Sequence, residues 1–130
     1  MPTPISKLAV CAALALTLAG PLAPVAAAER AIDKSVVVNG TLDQVWAAWT
    51  TREGIVSFFA PDAEIDARVG GAFHIHMDPG AAPGAKGADD MRFMALQPKK
   101  MLSFDWNAPP SLPEARAQRT FVTVRLAPLT

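Results

Sequence analysis

The sequence predicts an α+β domain: one strand, two short helices, then a run of antiparallel strands. Three observations predict it. Leu42, Val45, Trp46 and Trp49 fall at helical spacing behind Thr41, which forms a capping-box pattern with Gln44. From Ala63 onward apolar residues recur at every second position, the period of a strand buried on one face. Gly70-Gly71 and Pro98-Lys99-Lys100 punctuate that alternation as turns.

Each element has its own signal. Ile32 to Val38 ends in three valines, β-branched residues that suit a pleated surface, and Asn39-Gly40 closes it. Thr41 opens the first helix, and its two tryptophans imply deep packing. Thr51 caps a second helix over Arg52 to Phe58, which Pro61 closes. Ile65, Ala67 and Val69 alternate with polar residues, as do Phe73, Ile75 and Met77 after the glycines, which predicts a hairpin. A bulged three-residue connection keeps the apolar sets on one face, pairing Ala67 with Ile75 and Asp66 with His76.

Asp78 to Asp90 reads as a long Gly- and Pro-interrupted loop, and Met91 to Leu96 as a strand. The face of that strand is ambiguous, because Met91 and Phe93 compete with Met94 and Leu96. Leu102, Phe104 and Trp106 mark the next strand, Asn107 to Gln118 a Pro-rich loop, and Thr120 to Leu126 a last strand. Two short helices cannot cover five one-faced strands, so the chain reads as incomplete at its C-terminus.

The N-terminus predicts export. Lys7 precedes an apolar run, Leu8 to Ala19, and Ala26-Ala27-Ala28 offers a signal-peptidase site. The run is shorter than a membrane span needs, so residues 1–28 read as a cleaved secretion signal and 29–130 as the domain. No stable membrane insertion is expected after cleavage. The destination expected is periplasmic or secreted. Cys11 leaves with the signal, which excludes a cysteine nucleophile or a Cys-based zinc site in the remainder. Twelve basic residues balance twelve acidic ones, so nothing favours a nucleic-acid partner.

Three stretches resemble one family. Val45-Trp46-Ala47-Ala48-Trp49-Thr50-Thr51 is similar to a Val-Trp-x-Ala-Leu-Thr-Thr stretch of the heat-shock ATPase activator-like family, in the START-like (SRPBCC, or polyketide cyclase) superfamily. Asp66 to Phe73 resembles its Gly-Gly-x-Phe hairpin, and Pro98 to Trp106 its Pro-Pro-x-x-Leu-x-Phe-x-Trp turn and strand. The resemblance runs over roughly Ile32 to Leu126 and implies a helix-grip fold: a curved antiparallel sheet around a long C-terminal helix, with an apolar cavity between. It implies that the final strand and that helix should follow Leu126, where they are missing.

The apolar face of the strands is the first candidate site. Phe73, Ile75, Met77, Leu102, Phe104, Trp106, Val122 and Val124 would line a cavity for a small hydrophobic molecule, or form plain core. His74 and His76 share the polar face with Asp66 beside His76, acceptable metal ligands by type, but a wet His-x-His on a strand is ordinarily a solvated face, and no metal is assigned. No G-x-S-x-G elbow or phosphate-binding glycine loop is present, so no catalytic residue is placed. The leading expectation is therefore an exported domain that binds a small hydrophobic or amphipathic ligand without a cofactor. The alternatives are a cofactor-free cyclase- or hydrolase-like enzyme on the same scaffold, a truncated non-functional remnant, or a chaperone-activator-like interaction protein. Export argues against the last. The open edge at Thr120 to Leu126 would give a route to self-association.

Overall fold

The computed structural model describes Gly20 and residues 30–129. The segment read as a secretion signal, apart from Gly20, lies outside the described residues. The chain divides into two units, Met1–Val36 and Val37–Thr130. In the first, the described residues form neither helix nor strand.

Among the described residues, the second unit holds every helix and strand. α1 (Leu42–Thr50) starts at the foreseen capping box: the Thr41 hydroxyl accepts from the Gln44 N–H at 3.1 Å, and the Gln44 side chain accepts from the Thr41 N–H at 2.9 Å. α2 (Arg52–Phe58) is capped by Thr51, whose hydroxyl accepts from the Gly54 N–H at 2.9 Å. Gly54 lets the two helices meet, because a Cβ there would run into the Ala47 carbonyl and the Ala48 backbone. α1 buries none of its residues fully, so the deep packing expected of Trp46 and Trp49 is only half realised.

The strands form two three-stranded antiparallel sheets. The first contains β1 (Asp62–Ile65), β2 (Phe73–His76) and β3 (Gly87–Ala88); the second contains β4 (Phe93–Gln97), β5 (Met101–Trp106) and β6 (Thr120–Arg125). An Ala72–Arg92 bridge links them: the Phe73 N–H donates to the Met91 carbonyl at 2.9 Å, and the Phe93 N–H to the Gly71 carbonyl at 3.0 Å. Two helices followed by this antiparallel order match a helix-grip-like topology. The expected gripping of a long helix has no counterpart among the described residues, whose third helix, α3, is the single turn Pro113–Arg116 inside the predicted Pro-rich loop. None of the described helices is long and apolar enough to cross a membrane.

Three sequence expectations need correction. Residues 30–38 carry no strand, and Val36 is 83% exposed. Valines favour a strand only where a ladder and a half-buried face exist to receive them. The β1–β2 hairpin pairs Ala63 with Ile75 and Asp62 with His76, four residues from the predicted register. The chain turns over residues 66–72 instead, with the Asp66 N–H donating to the Ala72 carbonyl and the Gly71 N–H to the Arg68 carbonyl, both at 2.8 Å. An even shift preserves the faces, so the assignment of apolar and polar sides survives the wrong register. Last, the long loop from Asp78 contains β3, which pairs Ala88 with Ile75.

The ambiguous face of β4 is settled by a bulge. Phe93 pairs with Phe104 and Leu96 with Leu102, while the register shifts between Phe93 and Ala95. The extra residue lets Phe93 and Leu96 both face the core, and turns Met94 outward. Ile55 of α2 joins Phe73, Ile75, Met91, Phe93, Leu102 and Phe104 in the buried centre. Each large side chain so buried contributes about 1.5–3 kcal/mol relative to an exposed one.

Candidate functional site

The eight residues expected to line a cavity separate into three groups. Phe73, Ile75, Leu102 and Phe104 are fully buried in the core. Trp106, Val122 and Val124 are half-buried at its margin. Met77 lies beyond the end of β2 and is 47% exposed, so it leaves the apolar face altogether.

Pairing explains why the first two groups sit together. Leu102 opposes Val124, and Phe104 opposes both Val122 and Phe93. From the other sheet, Phe73 stacks on Phe104 with ring centroids 4.0 Å apart and meets Phe93 edge-on at 5.0 Å. Trp49 stacks on Phe104 at 6.1 Å, and Phe59 lies 5.8 Å from Trp106. Rings at these distances fill the space between the sheets and the helices. What remains accessible is the half-buried rim of Trp46, Trp49, Phe59 and Trp106.

The polar face carries two imidazole–carboxylate pairs. His76 Nδ1 lies 3.0 Å from Asp62 Oδ2, and His74 Nδ1 lies 3.2 Å from Glu64 Oε2. Asp62, not the Asp66 expected, sits beside His76, because the register places it directly opposite. Asp66 pairs instead with Arg68. Arg52 of α2 donates to Asp62 Oδ1 at 2.7 Å, tying that helix to the sheet. The hydrogen bonds from His76 and then Arg52 hold the Asp62 carboxyl at a pKa of about 2. His74 Nε2 is buried without a hydrogen-bond partner. Among the described residues no three His, Cys, Asp or Glu side chains converge on a point that a metal could occupy.

Two arginines that sequence reasoning passed over hold the loops. Arg116 donates to the carbonyls of Gly84, Gly87 and Ala108, each at 2.7 Å. Arg119 donates to Asp90 at 2.7 Å and Asp105 at 3.0 Å. Their partners lie 8 to 32 residues away, so no local pattern could have announced them.

An open groove of about 700 Å³ lies elsewhere, at the β4–β5 turn. It is lined by residues 97–101 and 125–128, with Leu42 of α1, and shares none of the eight predicted residues. In the sequence Lys99-Lys100 reads only as part of a turn.

Fold and site together define an α+β domain with helix-grip-like topology, whose apolar face is packed as core. The chain belongs to the family described as activator of Hsp90 ATPase homolog 1-like protein, whose model matches residues 39–130. Neither a curated protein nor a solved structure matches the chain. The membership bears out the resemblance read from the three motifs. The family description, an activator of an Hsp90 ATPase, runs against the expected periplasmic or secreted location and corrects it.

Proposed function

We propose that this domain is a protein-interaction module of the co-chaperone kind after which its family is named, acting on an Hsp90-type ATPase rather than on a small molecule. The observation that carries this reading is the filled apolar face. Phe73, Ile75, Leu102 and Phe104 occupy the space a ligand would need, and the Phe73–Phe104 stack closes it. Expected export argued against a chaperone partner; the family description, an activator of an Hsp90 ATPase, supports one.

A second reading keeps a small hydrophobic ligand. It is favoured by the half-buried rim formed by Trp46, Trp49, Phe59 and Trp106, where apolar rings still meet solvent.

Titration of the full chain against a purified Hsp90-type chaperone, with the ATPase rate as a second readout, tests the first reading. Saturable binding with a changed rate is expected. No binding, together with apolar small molecules co-purifying at one per chain, would favour the second reading.

A further inference from the structure

We propose that the groove at the end of the second sheet docks an extended partner segment that is both acidic and apolar. The inference rests on the protein-interaction reading and adds to it the surface used and the chemistry of what it takes.

The groove is built by the ladder. Met101 opposes Arg125, and the Leu126 N–H donates to the Lys100 carbonyl at 2.8 Å, one step beyond that pair. Residues 126–128 are thereby drawn alongside the β4–β5 turn. The turn itself is held: the Lys100 N–H donates to the Gln97 carbonyl at 2.9 Å, and Lys99 Nζ pairs with Asp43 of α1 at 2.6 Å. Lys99 adopts φ 59°, a left-handed conformation uncommon outside glycine. The rim is therefore preformed.

The lining combines two chemistries. Leu42, Met101 and Leu126 are half-buried and present apolar surface. Every charge on the lining is positive: Lys99, Lys100 and Arg125. Lys99 is already paired, but among the described residues Lys100 and Arg125 have no carboxylate partner. A surface of one charge sign set in apolar walls selects a partner of opposite sign that also carries apolar side chains. Two unpaired cations are a weak match for a phosphate backbone, and no aromatic ring lines the groove to stack a base. An open trough suits a chain passing along it better than an enclosed small molecule.

The test uses the full chain and a fluorescent peptide of alternating Glu and Leu, with a Gln–Leu peptide as control. Anisotropy should show the acidic peptide binding about fivefold to tenfold more tightly than the control, as two surface ion pairs would give. That preference should shrink with added salt and vanish in the Lys100→Glu/Arg125→Glu double variant. Both side chains are exposed, so the melting temperature of the double variant should stay close to that of the parent. Equal binding of the two peptides, binding of neither, or an acidic preference that survives the double substitution would each overturn the proposal. Chaperone binding separates this inference from the reading beneath it. A chaperone that still binds the double variant as tightly overturns the groove and leaves the interaction reading standing.

Discussion

Phe73 of β2 and Phe104 of β5 stack face to face across the junction of the two sheets, 4.0 Å between centroids and 26° between planes. No hydrogen bond joins β2 to β5, since β5 pairs with β4 and β6. The stack is the tightest ring contact between these strands, with Phe73 also 6.5 Å from Trp106, and Phe93 and Trp49 pack against its two rings. Phe73→Ala should therefore lower the stability by about 3–5 kcal/mol, the range for truncating a buried aromatic ring. Urea unfolding followed by tryptophan fluorescence would measure it. A loss below about 1 kcal/mol, the size expected for a surface site, would contradict the packing described.

Gly54→Ala has two opposing effects. Within an isolated helix the change would favour folding by about 1 kcal/mol. Here the new Cβ would collide with the Ala47 carbonyl and the Ala48 backbone, neither of which can swing aside as a side chain could. The steric effect should win and the variant should melt at a lower temperature. A raised melting temperature would show that α1 and α2 sit further apart.

The Asp62 carboxyl is held at a pKa of about 2, below its ordinary 3.8, by His76 first and Arg52 second. A depressed carboxyl pKa stabilises the folded chain above the unfolded value, and that contribution is lost as pH falls through the folded one. The melting temperature should thus decline between about pH 4 and pH 2 more steeply in the parent than in Asp62→Asn. Parallel profiles for the two proteins would mean that the Asp62 contacts do not hold in solution.

Arg116 ties the loop before β3 to the segment after β5 through three carbonyls. Arg116→Ala leaves those acceptors without their partner and should cost about 1–3 kcal/mol. Hydrogen exchange gives the local readout: amides of residues 84–89 should exchange faster, while those of α1 should not change. Uniform acceleration along the chain would point to global destabilisation instead of a lost anchor.

Most of the local structure was legible in the residues. Thr41 and Gln44 announced the capping box, Thr51 announced the second cap, and the alternation of Leu102, Phe104 and Trp106 announced β5. Three motifs were enough to indicate the family. The pairing of β1 was not legible, because a chain of alternating residues satisfies its faces equally well at any even shift. Nor was the face of β4, where two apolar sets competed until the bulge admitted one residue from each.

The candidate site was the least legible part. Alternation could say that Phe73, Ile75, Leu102 and Phe104 shared a face, but not whether that face was lined or filled. Sequence alone determined α1 and α2, most of the strands and their apolar sides, since capping and periodicity are properties of neighbours in the chain. Only the tertiary structure decided that those four residues pack as core, that Asp62 rather than Asp66 meets His76, and that the turn at Lys99 closes on residues 126–128 to form a groove. Each of these depends on the distance between elements remote in sequence, and that distance is set by the joint packing of both sheets and both helices.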